Sequence, residues 1–500
     1  MQGPVTLARP AVIPGTLPKA VGLGAVLIAA GLFFVLAAFR GDGLGLDAPA
    51  LPLYCLGLLA IGVLTWWEAT RARTGALPSW TSPPALIAGW ALGWIYLPAL
   101  APFFDDSLLA EFERWQGGET VLLTGLVLTC VALAALSLSY HATSLVLGRR
   151  ARPVGRSERP VALRRIVGLY LVSTAARGFH LFTLGVAYGI DITAWGPLQP
   201  VAQWIGYVED LHFLALALLV AHFTRRRTGH LWLAIAIVLE LVLSLSSGFL
   251  TPAILPLVLC VTTAAALDRL RGRHVALIAG AALVMSTFVP VIAAIREDRT
   301  GAIGTSDLVR AADALAAPGK YWLAGVSAGD GVYDKFFGRQ AEVAGAPGLA
   351  VMLTPDVVPY EGFERFLTLP AALIPRAFWP EKPTLSRGVW FSSTFRGLKD
   401  DTTSYSAMTI FSEGYLFYGW TGTVLAMLIV GVVLAVVRRR FDNPRLVLVY
   451  LALLPTIIQI EPEFSSYLIT LVQRAVVFLA VFVLLSHTKA RGLERRWIRP

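Results

Sequence analysis

The chain has 500 residues, of which 56% are hydrophobic and only 15% charged, and its mean hydropathy is +0.67. Soluble domains carry about a quarter charged residues, so the composition excludes an ordinary soluble enzyme and predicts an all-α polytopic membrane protein. The formal net charge of +10 fits Lys and Arg gathered in cytoplasmic loops, and no stretch interleaves basic and aromatic residues as a nucleic-acid surface requires, so no nucleic-acid partner is expected.

Apolar runs predict about twelve transmembrane helices, near 20–39, 50–67, 84–103, 120–142, 166–188, 207–223, 231–248, 251–267, 275–294, 412–437, 446–461 and 467–486. The first run, PKAVGLGAVLIAAGLFFVLAAFRG, is too long for a signal-peptide core and reads as a retained span. With the N-terminus inside, alternate loops collect the arginines. They include GRRARPVGRSERPVALRR (148–165), which reads as a topology anchor on anionic lipid, Arg225–Arg227, Arg438–Arg440 and the basic tail. The short outer loops hold only Arg40 and Arg114, so both termini are expected in the cytoplasm.

This pattern divides the chain into spans one to nine (1–295), a large outer loop (296–411), and spans ten to twelve with the basic tail (412–500). A loop of that length is expected to carry structure. Short helices are predicted at TSDLVRAADALAAPG (305–319) and within GDGVYDKFFGRQAEVAGAPG (329–348). YEGFERFLTLPAALIPRAFWP (360–380) suits a segment lying at the interface. Over the whole loop twelve cations face thirteen carboxylates, but its last third is locally cationic.

Several ionisable residues fall inside predicted spans. Arg177 lies thirteen residues past Arg164, roughly 20 Å into the bilayer, with His180 on the same face. Arg474 sits in the outer part of the last span, and Glu240 is mid-span, followed by Ser244, Ser246 and Ser247. Such charges cost at least ~2.5–3.5 kcal/mol each. Two readings stand open: internal pairing, for instance Glu240 with Arg177 or Arg474, or a polar cavity opening outward and lined by Arg177, His180 and Arg474. Cys55, Cys130 and Cys260 each lie in an apolar run and read as buried thiols, with neither disulfide nor zinc. Asp42, Asp105 and Asp106 are the only early outer carboxylates resembling a metal site, and they read as solvated loop.

IPRAFWPEKP (374–383) sets Arg376 and Lys382 on a proline frame beside Phe378 and Trp379. Arginine forks onto two phosphate oxygens at once, so the stretch predicts a lipid-borne phosphate or diphosphate as ligand. IREDRTG (295–301) offers Arg296 and Arg299 at the outer surface, either for a headgroup phosphate or for local ion pairs. SYSAMTIFSEGYLFYGWTG (404–422) places Glu413 near Tyr415, Tyr418 and Trp420. That carboxylate is either a solvated helix start, an orienter of a loop arginine, or a base in an aromatic sugar site. No P-loop, HExxH or GxSxG is present.

The stretches TPDVVPYEGFERFLTLPAALIPRAFWPEKPTLSRGVWF (354–391) and TIFSEGYLFYGWTG (409–422) resemble the bacterial O-antigen polymerases and related oligosaccharide repeat-unit polymerases. The departure is Ser-Glu-Gly at 412–414, where that family has Gly-Glu. The resemblance implies a GT-C-type integral membrane glycosyltransferase of the bacterial cytoplasmic membrane, with its active site on the outer face. It implies polymerisation of repeat units carried on undecaprenyl diphosphate. No metal, nucleotide sugar or other cofactor is implied. The partners implied are the lipid-linked oligosaccharide, membrane lipid, and a chain-length regulator and flippase of the same pathway. Arg376 would stabilise the leaving group, with Arg177, Arg296, Arg299, Lys382 and Arg474 as diphosphate ligands. Arg339 would clamp sugar or phosphate, Trp379 and Tyr415 would contact sugar, and Glu413 or His180 would be the base. The rivals are a flippase or transporter of lipid-linked oligosaccharide, an O-antigen-ligase type, or another GT-C enzyme.

Overall fold

The computed structural model describes residues 50–71, 77–104, 108, 118–148, 161–184, 199–226, 229–247, 250–268, 305–317, 332–362, 364, 369–370, 373–374, 378–379, 387–398 and 406–487. All regular structure among them is helical. The first helices are α1 (Ala50–Thr70), α2 (Pro83–Trp90), α3 (Gly118–Val146), α4 (Leu163–Phe182), α5 (Gln199–Arg226), α6 (His230–Ser247) and α7 (Leu250–Asp268). After them come α8 (Thr305–Ala316), α9 (Val332–Leu353), α10 (Gly388–Phe395), α11 (Thr409–Phe441), α12 (Val447–Ile458) and α13 (Phe464–His487).

Among the described residues, seven helices are long and apolar enough to cross a membrane: α1, the run from α2 to Phe103, α3, α5, α6, α11 and α13. Large apolar side chains such as Leu138, Leu145, Val172, Leu231 and Leu484 stand exposed. A soluble surface rarely tolerates such a display, whereas a bilayer requires it. The architecture is that of an α-helical membrane protein. Ten of the twelve expected spans fall on helices, and those at 20–39 and 275–294 lie outside the described residues. α12 has only 12 residues, about 18 Å at 1.5 Å per residue, which is short for the span expected at 446–461. Among the cysteines, Cys260 is buried and Cys130 partly so. Cys55 is exposed, against expectation, because an apolar run does not say which face of its helix meets lipid.

Small residues set the close helix contacts, as membrane packing favours. A Cβ on Gly431 of α11 would lie within 2.5 Å of the Leu136 carbonyl oxygen of α3. One on Gly125 of α3 would lie 2.4 Å from the Ala344 carbonyl oxygen of α9. The same contact recurs one turn on, with Gly348 against Val121. The register 344 with 125 and 348 with 121 makes α9 run antiparallel to α3, so its earlier turns reach further along that 29-residue helix. The expected short helix at 329–348 is therefore longer, 22 residues, and residues 343–350 are buried in the bundle.

α2 starts from a Ser82 cap, whose side chain accepts from the Ala85 amide at 3.4 Å, with prolines in the first turn. It continues as a π-helical turn over Ala91–Tyr96, closed by Leu97 N to Leu92 O at 2.9 Å. At the other end of the bundle Arg438 is buried and donates to the Thr81 carbonyl and hydroxyl, both at 2.7 Å, and to Pro78 O at 3.1 Å. Arg438, counted among the cytoplasmic-loop arginines, is thus a packing element.

α11 is broken. Tyr418 (φ −163°, ψ 49°) and Gly419 (φ 60°, ψ −145°) leave the helical region. In a continuous helix Gly414 and Gly422 would be about 12 Å apart. Here a Cβ on Gly422 would sit 2.3 Å from the Gly414 carbonyl oxygen, and one on Gly414 would sit 2.9 Å from Thr423 Cα. The chain reverses at Tyr418–Gly419, so residues 409–417 form a short half-helix folded back along the long arm 420–441. The single span expected at 412–437 is this hairpin. Gly419 occupies backbone space that essentially only glycine visits.

Candidate functional site

The hairpin draws together the two stretches singled out in the sequence. Glu361 N donates to Leu416 O at 2.9 Å, and Gly362 N to Phe417 O at 3.1 Å. Tyr360 packs against Tyr415 and Tyr418 with ring centroids 6.3 and 6.0 Å apart, and Tyr415 meets Trp420 edge-on at 5.8 Å. Tyr360, Tyr418 and Trp420 stay exposed while Tyr415 is buried, so an aromatic patch stands at the turn. Trp379 is exposed as well. Arg387 is buried, forks onto Glu361, and lies 3.5 Å from the Trp390 ring centroid. Its backbone N–H donates to Glu463 Oε1 at 2.6 Å.

Glu413 lies on the half-helix and is fully buried. It accepts from the Ser465 amide at 2.7 Å and the Ser465 hydroxyl at 3.0 Å. It therefore caps the first turn of α13, supplying in trans what a capping box supplies locally. Of the three readings left open for Glu413, the solvated helix start does not hold, because the carboxylate is buried at the N-terminus of a different helix. The two backbones also pair directly, through Thr409 N to Glu461 O at 2.9 Å and Ile410 N to Ile460 O at 3.0 Å.

A second polar centre lies among α4, α5 and α6. Arg177 is ion-paired with Glu240 and donates Nη2 to Ser244 Oγ at 2.7 Å. Its Nε lies 3.8 Å from Glu209, which bonds His180 Nδ1 at 2.5 Å. Tyr170 donates to Glu240 Oε1 at 3.2 Å, and His212 Nε2 lies 3.8 Å from Glu240 Oε2. At the next residue of α5 after Glu209, Asp210 receives a bidentate Arg474 at 2.7 and 2.6 Å, and Arg474 also donates to Thr456 Oγ1 at 2.8 Å. Arg177 and Arg474 are thus ion-paired, Arg177 with the glutamate that depth alone suggested.

Arg339 pairs with Glu461 at 3.1 Å. Arg296, Arg299, Arg376 and Lys382 lie outside the described residues, as do Asp42, Asp105 and Asp106. Among the described residues no group of three or more His, Cys, Asp or Glu is placed to hold a metal ion. Sequence reasoning missed Glu209, Asp210 and His212, although the signal was present: VEDLH (208–212) puts three ionisable groups inside one predicted span. It also missed Glu68, buried on α1, which accepts from Ser137 at 2.5 Å and contacts His141 at 2.7 Å.

A family model described as Domain of unknown function (DUF8712) matches residues 180–443. The chain belongs to this family. No curated protein matches it, and no solved structure does. The DUF8712 segment runs from His180 to just past α11, so it takes in Glu209, Asp210, Glu240, all of α9 and the hairpin; it excludes α13 with Arg474.

Proposed function

We propose that this DUF8712 protein is a membrane glycosyltransferase that polymerises oligosaccharide repeat units carried on a lipid diphosphate, at the outer face of the bacterial cytoplasmic membrane. The observation that supports this most is the junction of 360–362 with 415–420. Two stretches far apart in sequence, both part of the polymerase resemblance, meet in one partly exposed aromatic patch. Aromatic faces suit sugar rings, and the proline-framed Arg376 and Lys382 suit the diphosphate that leaves as the glycosidic bond breaks. In this reading Arg177 and Arg474 act by holding the bundle, because their charge is already matched by Glu240 and Asp210.

One observation favours the transporter alternative. The network of Arg177, His180, Glu209, His212 and Glu240 is the kind of buried charged chain that relays protons in pumps and transporters. A single experiment separates the readings. Purified protein in nanodiscs receives the lipid-diphosphate-linked repeat unit with EDTA present, and products are resolved on a gel. The polymerase gives a ladder of longer glycans that Arg376→Ala abolishes. Labelled lipid crossing the bilayer without a ladder means a flippase, and a single transfer to another acceptor means a ligase.

A further inference from the structure

A cluster distinct from the aromatic patch lies where the π turn, the early turns of α9 and the segment before α13 meet. The π turn sets Trp94 against Trp90, with centroids 5.3 Å apart, and against Phe336 of α9 at 5.8 Å. Trp94 Nε1 donates to Glu461 Oε1 at 3.1 Å, and Arg339 Nη2 donates to Glu461 Oε2 at 3.1 Å. Gln340 follows Arg339 and lies one turn beyond Phe336, on the stripe that continues through Ala344 and Gly348 against α3. Gln340 therefore sits between the turn of α9 that meets Trp94 through Phe336 and the turn that meets α3 through Ala344.

Gln340 is 0% exposed, and neither its Oε1 nor its Nε2 finds a hydrogen-bond partner among the described residues. The indole Nε1 of Trp90 is buried and has no partner among the described residues either. Orphaned buried polar atoms are rare and costly, and π-helical turns recur at functional sites. An apolar aromatic wall with a few convergent polar groups is the usual form of a small-ligand site.

The chemistry of the cluster selects the ligand. The Arg339 charge is matched by Glu461, so no net positive charge remains for an anion. A side-chain amide offers one acceptor and two donors, as hydroxyl groups require, and the carboxylate accepts from hydroxyls. A sugar ring presents an apolar C–H face beside a rim of hydroxyls, matching the indoles and the amide respectively. We propose that Trp90, Trp94, Gln340 and Glu461 form a subsite for an uncharged sugar residue of the lipid-linked oligosaccharide. This rests on the function proposed above and gives that function a sugar-recognition element set apart from the diphosphate-binding cations.

The test compares two ligands on the full-length protein in nanodiscs: the native lipid-diphosphate-linked oligosaccharide and undecaprenyl diphosphate without a glycan. Gln340→Met keeps volume and removes the orphaned amide. It is expected to melt at or above the wild-type temperature, to hold undecaprenyl diphosphate unchanged, and to bind the glycan-bearing lipid about tenfold more weakly, the worth of one good hydrogen bond. Trp90→Phe, which removes the other orphaned donor, is expected to weaken the glycan-bearing lipid in the same selective way. If both variants bind that lipid as wild type does, the subsite is refuted while the proposed function stands. If wild-type protein does not distinguish the two lipids, both are refuted.

Discussion

The Arg177–Glu240 pair makes a quantitative prediction. The two side chains are 5% and 2% exposed, so solvent screens them little. Replacing one partner of such a pair strands the other at a cost of about 3–5 kcal/mol, whereas replacing both with apolar groups of similar size is often nearly neutral. The partners left behind are unequal. Arg177→Met leaves Glu240 with the Tyr170 hydroxyl at 3.2 Å and His212 at 3.8 Å. Glu240→Met leaves Arg177 with the Ser244 hydroxyl at 2.7 Å and a second carboxylate, Glu209, at 3.8 Å. Arg177→Met is therefore expected to cost about 3–5 kcal/mol and Glu240→Met about 1–3 kcal/mol, with the double variant within roughly 1–2 kcal/mol of wild type. Methionine limits the cavity contribution. Reversible SDS unfolding in mixed micelles, followed by tryptophan fluorescence, measures all four corners of the cycle. A coupling energy near zero, or an Arg177→Met cost below 1 kcal/mol, would refute the buried pair.

The hairpin predicts that Gly422→Ala, whose new methyl would meet the Gly414 carbonyl at 2.3 Å, costs about 1–3 kcal/mol or more. Gly168→Ala on α4, with no described atom within 4 Å of the new methyl, instead gains up to ~1 kcal/mol; equal effects in the same unfolding assay would remove the chain reversal. Arg387→Lys loses the fork onto Glu361 and the stacking on Trp390, and is expected to lower stability by about 1–3 kcal/mol, read as a fall in melting temperature. Glu413→Gln keeps an acceptor for the Ser465 amide and should cost about 1 kcal/mol. If its glycan ladder equals that of wild type, Glu413 is a cap and the base lies elsewhere.

Hydropathy made the long helices legible, because a bilayer demands some twenty apolar residues and the chain writes them plainly. Depth along α4 also made a buried partner for Arg177 legible, since a charge there needs compensation. α9 was harder to read. Arg339 and Glu342 dilute its hydropathy, and AGAPG reads as turn. Yet Ala344 and Gly348, four apart, are what let it press backbone to backbone on α3. The break in α11 was hidden in the same way: Tyr418–Gly419 sits in an aromatic run whose hydropathy continues unbroken, and the reversal shows in the backbone of these two residues and in the approach of Gly422 to Gly414. Glu209 and Asp210 escaped notice because a pair of acids at the edge of a predicted span reads as a solvated helix start. Their partners sit on other helices, His180 and Arg177 on α4 and Arg474 on the distant α13, and hydropathy pairs no helices.

The interrupted elements share one physical requirement. A half-helix, a reversal and the non-helical segment 459–463 each leave backbone groups without a helical partner, and inside a membrane protein such groups must be satisfied by protein. Here they satisfy one another. Thr409 and Ile410 donate to Glu461 and Ile460, Glu361 and Gly362 donate to Leu416 and Phe417, and the Ser465 and Arg387 amides donate to Glu413 and Glu463. Two of the acceptors in this set are carboxylates, which bind amides more strongly than neutral acceptors do. Carboxylates are thus what make the broken helices affordable, and a group committed to two donors from Ser465 is a poor candidate to take a substrate proton as well. The carboxylate that differs is Glu461. It serves the joint through its backbone carbonyl and leaves its side chain to Trp94 and Arg339. That division of labour between backbone and side chain leaves the Glu461 carboxylate, and not that of Glu413, placed at the proposed sugar subsite.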